Sequence, residues 1–512
     1  MNLFAVLLAL SPVIVIFLLL TLRHTAADTA GMIGWVITVL VAWLYFKTPP
    51  GIILQASLAG IVASLPISLV VATSILQVTV MIETGAIARI VALIKSVAVG
   101  DQAVQIMLIN VGFGTLLTAL GAVPVSILPP IMIALGYPPF AAIALPAIGY
   151  DALCTYALLG IPVVVFAGFV GLPVSQAGGY FARFMPVISS CIALGMLWLV
   201  GRGAMLRRGL VPALLAGLTA GLVCIGMTAA NMVTLTGIAA GLAVIVVMLA
   251  YLKLRGRPLN ERTVPGLAAG PRLPLWAAIS PWALLTLFAL LVNAPFSPFF
   301  DLTFNRWAVP VRIIPGAPEK VRPLWQAYFW ILVSTLLALP LLRPTRAQIT
   351  TSLRRWLKRA PRPVLAAAIF FAIAYVINHS GKRADWTLVE PTRNMVYLLA
   401  TAAAAAFGKL YPSIAPFLGL LGGFISGSET SSIAMLTALH RQTAERIGAD
   451  GLLIAAASGI GGGLASVISP AKLQNASAAI DHIGEEAQVL RQTFWIALLI
   501  TAVVAAMALL WA

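Results

Sequence analysis

Charge is what this sequence has least of. Asp, Glu, Lys and Arg together make up 9% of its 512 residues, and only 15 residues are acidic. A soluble globular chain is about 25% charged and roughly 45–50% apolar. With 61% hydrophobic residues, no soluble fold of this length hides so much apolar surface under so few charges. The excess must face lipid.

Other absences narrow the function. The three cysteines (Cys154, Cys191, Cys224) stand singly in apolar surroundings, which excludes a disulfide framework and reads as small core residues. The four histidines (His24, His379, His440, His482) are scattered and hold no metal-ligand spacing, so no metal site is expected. There is no phosphate-binding P-loop, which speaks against ATP-driven pumping. Gly459-Ile-Gly-Gly-Gly-Leu464 has Leu where the dinucleotide fingerprint needs Gly or Ala, and it lies in an apolar tract. Neither an enzyme nor a cofactor is expected.

What is present is a series of long apolar runs. Roughly 20 such residues span a bilayer as a helix. Residues 3–22, 33–46, 185–200, 210–227, 237–252, 275–292, 325–342, 364–377 and 494–510 are plain candidates. Gly- and Pro-broken tracts between them hold several more, for about 10–14 membrane segments in an all-α polytopic protein. The first run lacks a basic leader and a small-residue cleavage site, so it reads as a retained helix. The span 51–81 holds Pro66 at its middle. It is either one tilted, kinked helix or a helix with a re-entrant piece.

The net charge of +17 is a topology signal, with no call for nucleic acid. Seven basic residues and no acid lie between Arg343 and Arg362, and five more lie between Lys253 and Arg272 with Glu261 as the one acid. Such clusters hold loops on the cytoplasmic side. Residues 293–322 and 379–392 mix both signs and fit the outer face. The stretch 350–359 puts Leu353, Trp356 and Leu357 on one helical face among basic residues, as a helix lying on the inner membrane surface does.

The chain reads as a single membrane transport domain, 1–512, with three regions. Central helices with basic cytoplasmic loops occupy 202–362, between two interrupted-helix motifs at 111–173 and 411–470. The first motif reads Gly121-Ala-Val-Pro-Val-Ser126, Gly136-Tyr-Pro-Pro139, Gly149-Tyr-Asp151 and Gly160-Ile-Pro162. The second reads Gly427-Ser-Glu-Thr-Ser-Ser432, Gly448-Ala-Asp-Gly451, Gly459-Ile-Gly-Gly-Gly463 and Ile468-Ser-Pro470. Interrupted hydrophobic segments at matching places in two halves point to a transporter binding site.

Glu429 is the most informative residue. A charge in an apolar tract costs at least about 2.5–3.5 kcal/mol on insertion scales, and one that persists is usually functional. Glu429 stands among hydroxyls beside a glycine that lets the helix break. A half-helix starting near Ser431 would aim its N–H groups at an anion. Glu429 would repel that anion unless protonated, which couples the two; the alternative is a capping role. Asp151, flanked by Tyr150, Thr155 and Tyr156, is taken as the matching acid of the first motif, again with a cap as the alternative. Glu83 reads as an interfacial carboxylate near Arg89 and Lys95. The glycines around Gly461 serve either a ligand or plain helix packing.

With these residues in view, the chain resembles the L-lactate permease family. The likeness is strongest at Ile425-Ser-Gly-Ser-Glu-Thr-Ser-Ser432, where the family reads Thr-Gly-Ser-Asp-Thr-Ser-Ser-Asn. It continues through 452–457, the glycine cluster and Ile468-Ser-Pro470 to Gly484-Glu-Glu-Ala and Leu490-Arg-Gln-Thr-Phe494. Upstream, Gly112-Phe-Gly114, 133–137 and Leu159-Gly-Ile-Pro162 fall in order. The resemblance covers essentially the whole chain. It implies an electroneutral proton symporter of the bacterial cytoplasmic membrane for L-lactate, D-lactate or glycolate. The chain departs from the family at 150–157, at Ile433 in place of Asn, and at Glu429 in place of Asp. Glu429 and Asp151 are then the expected proton-linked groups. Gly427, Ser428, Thr430, Ser431 and Ser432 are expected to hold the carboxylate, and Tyr150, Thr155 or the backbone at Gly461 the hydroxyl. The competing readings are a permease for another organic anion or driven by Na⁺, an intramembrane enzyme using Asp151 and Glu429, and a channel.

Overall fold

The computed structural model describes residues 3–23, 25–96, 101–257, 273–294, 297–482 and 485–512; the side chains of Lys95, Ser96, Ser126, Asp151, Pro470, Ala471 and Glu486 lie outside the description. Most of the basic loop between Lys253 and Arg272 therefore also lies outside it. Among the described residues, twelve helices are long and apolar enough to cross a membrane. Leu, Ile and Val on their outward faces stay exposed, Leu54 at 60% and Val246 at 64%, as lipid-facing side chains do.

The 51–81 span is one helix, Pro50–Glu83, running through Pro66 without a break. At 1.5 Å per residue it is about 51 Å long, far more than the bilayer core needs. Met185–Ala229 is two crossings, separated at Gly201 and Arg202, whose backbone leaves the helical region. One departure from an all-helical chain appears in the mixed-charge loop, where Val309–Ile314 pairs antiparallel with Ala317–Val321. Outside the apolar spans, alternating β-branched residues favour a strand ladder over a helix.

Charge pairs identify one face of the protein. Arg355, on the amphipathic helix Arg346–Arg359, pairs with Glu83, and Gln348 donates to the Glu83 carbonyl at 2.7 Å. Asp28 lies 3.6 Å from Arg362. The partner of Glu83 is Arg355, brought across from the far side of the sequence, instead of Arg89; the side chain of Lys95, the other expected neighbour, lies outside the described residues. Trp356 fastens the same helix by donating to Ala72 O at 2.8 Å. The far end of the Pro361–His379 helix defines the opposite face, where Asn394 donates to Ser380 O at 2.9 Å.

The two motifs fold into the same series of elements. The first runs Gln102–Ala119, a turn through Gly121, Pro124–Ala134, a turn through Gly136, Pro139–Tyr150, the 3₁₀ turn Asp151–Tyr156, and Ala157–Val170. The second runs Tyr411–Ser426, a turn through Gly427, Glu429–Ile447, a turn through Gly448, Gly451–Leu464, the 3₁₀ turn Ala465–Ile468, and Pro470–Ala478. Each is a helical hairpin followed by a broken helix. Gly121, Gly136, Gly427 and Gly448 all have φ between 68° and 88°, the left-handed conformation that ends a helix at little cost only for glycine.

The two hairpins enter from opposite faces. Tyr137 donates to Gln105 Oε1 at 2.8 Å, closing the mouth of the first hairpin beyond the short helix Ala86–Ser96 that follows Glu83 on the basic face. The mouth of the second lies on the other face, with Arg446 stacked 4.3 Å over the ring of Tyr397, three residues after Asn394. The repeat is therefore inverted, the arrangement in which transporter sites sit at the repeat interface.

Candidate functional site

The tip of the second hairpin is built by its own small residues. Gly427 turns the chain with φ 68°, and its N–H returns to Gly423 O at 2.8 Å. Ser428 is extended and caps the next helix, its Oγ accepting from the Ser431 N–H at 3.4 Å. The helix therefore begins at Glu429, two residues before the expected Ser431. The cap is Ser428, and Glu429 is left free for another task. Ser432 is committed to packing, donating to Gly419 O at 3.1 Å. Thr430 and Ser431 are buried in the first turn. A buried chain of Tyr411 Oη, His440 and Ser458 Oγ, each contact 2.7 Å, fastens this hairpin to the broken helix behind it.

Glu429 is only 3% exposed. Its Oε1 accepts a 2.7 Å hydrogen bond from Thr155 Oγ1, in the 3₁₀ turn of the first repeat. Oε2 receives no hydrogen bond meeting normal geometry; the Cys154 thiol stands beside it as a weak donor. The carboxyl lies over Gly463, where an added Cβ would come within 2.6 Å of Oε2. A charge on this carboxyl is costly without a partner, so a proton or a nearby cation must answer it.

That cation is Lys472, which the sequence reading passed over. Its ammonium donates to Ser466 Oγ at 2.5 Å and lies 4.1 Å over the ring of Tyr150. Ser466 Oγ in turn is 3.8 Å from Cys154 Sγ, joining the 3₁₀ turns of the two repeats. Lys472 reaches the neighbourhood of the Glu429 carboxyl through Ser466 and Cys154, yet among the described residues it forms no ion pair within 4.0 Å. A signal for Lys472 existed: it is a charge two residues past the Ser469-Pro470 break, subject to the same insertion cost as Glu429. Cys154, taken as an inert core residue, borders the carboxyl.

The structure thus brings Glu429, Thr155 and Tyr150 together and adds Lys472, Ser466 and Cys154. Gly461 belongs elsewhere. An added Cβ there would strike Pro416 O at 2.0 Å, so its Cα faces the Tyr411–Ser426 helix, and its carbonyl accepts the Ala465 N–H. That is helix packing, the alternative reading of the glycines. Asp151 opens the first 3₁₀ turn, but its side chain lies outside the described residues. By element order Asp151 corresponds to Ala465, and Glu429, the first residue of its helix, corresponds to Pro124 at the first hairpin tip. The acids do not match across the repeat.

On the strand-hairpin face, a cavity of about 290 Å³ is lined by Pro66, Val165, Phe169, Glu319, Arg322 and Tyr375. Tyr375 donates to Glu319 Oε1 at 2.5 Å, and burial raises the Glu319 carboxyl above its ordinary range.

Comparison with known proteins gives a consistent result. A family model described as L-lactate permease matches residues 5–512. The chain is 25% identical to the glycolate permease GlcA of Escherichia coli K12, covering 98% of this chain and 95% of that protein. It is likewise 25% identical to the L-lactate permease of Bacillus subtilis 168, over 96% of this chain and 93% of the relative. Among solved structures, Neisseria gonorrhoeae MtrF, described as illuminating a class of antimetabolite efflux pumps, superposes with a TM-score of 0.46 at 13% identity, covering 95% of each chain.

Proposed function

The chain belongs to the L-lactate permease family, and on that premise we propose that it carries a small 2-hydroxycarboxylate, L-lactate, D-lactate or glycolate, together with a proton across the cytoplasmic membrane of a bacterium. The observation that carries the coupling is Glu429: a buried carboxyl at the junction of two inverted repeats, one oxygen held by Thr155 and the other faced by the weak donor Cys154. The basic face is then cytoplasmic and the strand-hairpin face external.

The physical need for coupling is direct. Moving one negative charge inward against an inside-negative potential costs about 2.3 kcal/mol per 100 mV. A proton travelling with the anion removes that cost. Glu429 accepts the proton, Thr155 holds the carboxyl in place, and the hydroxyl of the substrate meets the polar edge formed by Tyr150 and Thr155. The two hairpin tips, entering from opposite faces, expose this junction to one side at a time.

The test is uptake of labelled lactate and glycolate into proteoliposomes, with pH and Na⁺ gradients imposed separately. Wild type accumulates substrate under the pH gradient with Na⁺ absent. Glu429→Gln loses accumulation while retaining exchange of labelled for unlabelled substrate. Accumulation that follows Na⁺ alone, or a Glu429→Gln variant that accumulates like wild type, overturns the coupling role.

A further inference from the structure

The expected carboxylate anchor was the row of hydroxyls at the second hairpin tip, but those groups are neutral, and two of the four already serve the fold. Ser428 caps its own helix, and Ser432 is tied to Gly419 O. A transported carboxylate needs a cation or several free donors. Lys472 is the cation at hand. It sits in the first turn of Pro470–Ala478, just past the break, with an aromatic face on one side and a serine hydroxyl on the other. Among the described residues this ammonium has no carboxylate within 4.0 Å, and an ammonium so placed inside a membrane domain is an incomplete ion pair.

We infer that Lys472 is the residue that binds the carboxylate of the substrate, and that the substrate carboxylate and the ionised Glu429 are alternative counter-ions to it. This rests on the transport reading above and gives it a charge balance. Counting these two side chains alone, an ionised Glu429 balances the Lys472 ammonium in the empty site, for a sum of zero. In the loaded site, Lys472 faces the substrate carboxylate while Glu429 carries the proton taken from water on the open side, again for zero. Substrate without the proton would leave the site at minus one, and a proton without substrate at plus one. Both half-loaded states must carry a net charge through the membrane, and both are penalised. Obligatory one-to-one coupling follows from two side chains that do not touch.

The arrangement also explains why Lys472 is held by neutral groups. A direct bond to Glu429 would leave nothing for the substrate. Ser466 and the ring of Tyr150 instead position the ammonium without neutralising it. Tyr150 and Ser466 are positioning residues; the ammonium is the binding group.

The experiment is counterflow in proteoliposomes, which needs no proton gradient, with a panel of short monocarboxylates. Lys472→Gln raises the half-saturation concentration for exchange by about 30-fold or more, as removal of one partner of a desolvated charge pair does. Lys472→Arg keeps a cation and recovers part of the loss. Ser466→Ala removes the lysine's hydrogen bond but leaves the charge, and shifts half-saturation by less than about tenfold. Lactamide, the neutral amide of the same shape, fails to compete with lactate for the wild-type protein, a measurement that needs no variant to fold. An unchanged half-saturation in Lys472→Gln, a Ser466→Ala variant as impaired as Lys472→Gln, or effective competition by lactamide overturns the assignment. Failure of the transport reading has a different signature. If 2-hydroxycarboxylates do not exchange but another carboxylate of the panel does, that reading falls and Lys472 is judged on the carboxylate that exchanges. If no carboxylate exchanges, both fall together.

Discussion

Replacing Gly463 with alanine tests the site through one methyl group. The added Cβ would lie 2.6 Å from Glu429 Oε2 and 3.1 Å from Cδ, whereas ordinary contact begins at 3.4 Å. The carboxyl must retreat by about 0.8 Å, since Gly463 belongs to a helix packed on both sides and yields less readily than a side chain. A retreat of that size directed away from Thr155 would stretch its 2.7 Å bond to Oε1 to about 3.5 Å, the outer limit of a hydrogen bond. Overpacking costs about 1–3 kcal/mol. Loss of the Thr155 bond to a buried acceptor adds about 1–3 kcal/mol. The helix preference of Ala over Gly returns about 0.8–1.0 kcal/mol. The net cost of about 1–5 kcal/mol falls on the geometry of one carboxyl. Gly463→Ala is expected to insert and purify like wild type, yet accumulate substrate under a pH gradient at least about fivefold more slowly, each 1.4 kcal/mol being a factor of ten. Gly226→Ala is the control, because an added Cβ there meets nothing within 4 Å. Shortening the acid supplies the decisive arm. Glu429→Asp withdraws the carboxyl by one methylene, so the double variant Gly463→Ala/Glu429→Asp transports better than the product of the single effects predicts. Strict additivity, or a Gly463→Ala variant that accumulates normally, refutes the claim that the position of this carboxyl sets coupling.

Two further predictions concern the faces of the protein. Burial raises Glu319, with the Tyr375 hydrogen bond drawing it partly back. The folded protein thus binds this proton more tightly than the unfolded chain, so the contribution of Glu319 is most favourable at low pH and declines as pH rises from the ordinary carboxylate range, about 4.3, toward the raised value. Glu319→Gln is therefore increasingly more stable than wild type as pH rises through that window, measured by thermal unfolding in detergent; a difference independent of pH rejects the argument. The inverted arrangement predicts that a cysteine at Gly316 reacts with an impermeant maleimide added outside intact cells, and that one at Lys358 reacts only after permeabilisation. Equal labelling of both sites from one side would remove the opposed entry of the hairpins.

The spans were legible in the sequence because lipid selects a simple quantity, apolar length. The repeat was legible because every hairpin turn needs a left-handed residue: Gly121, Gly136, Gly427 and Gly448 punctuate the two motifs at matching elements, and each has the positive φ that glycine tolerates. Glu429 stood out through its insertion cost, and its contact with the 151–156 segment followed from the repeats meeting. Three things were hidden. Cys154 and Ser466 are 312 residues apart in the chain, and no local pattern states that two unwound turns touch. Lys472 lies two residues beyond Pro470, where the second motif was taken to end, so the interruptions that pointed to a site did not include it. Asp151 was aligned with Glu429 because both are acids, although the order of elements sets it against Ala465. Opposed hairpin entry is likewise a property of long-range pairs such as Tyr137 with Gln105 and Arg446 with Tyr397.

The repeat is symmetric in backbone and asymmetric in chemistry, and that asymmetry bears on how one site serves two sides. The first hairpin tip is Gly121-Ala-Val-Pro124 and bears no charge, while the second bears Glu429. A pair of acids, one on each tip, would offer a proton site to each face and permit protons to cross without substrate. With the acid on the second tip and the amine on the second broken helix, both charges travel with one repeat, while Thr155, Cys154 and Tyr150 of the first repeat close round them. Rocking one repeat against the other then changes which face reaches the carboxyl without separating it from the lysine. The hydrogen bond from Thr155 to Glu429 crosses the boundary between the repeats, as do the Cys154–Ser466 and Lys472–Tyr150 contacts, so on the transport reading proposed above it must be remade in each cycle. Loss of the Thr155 hydroxyl should therefore slow the return of the empty carrier more than it weakens binding, a split that comparing net uptake with exchange in Thr155→Val reads directly.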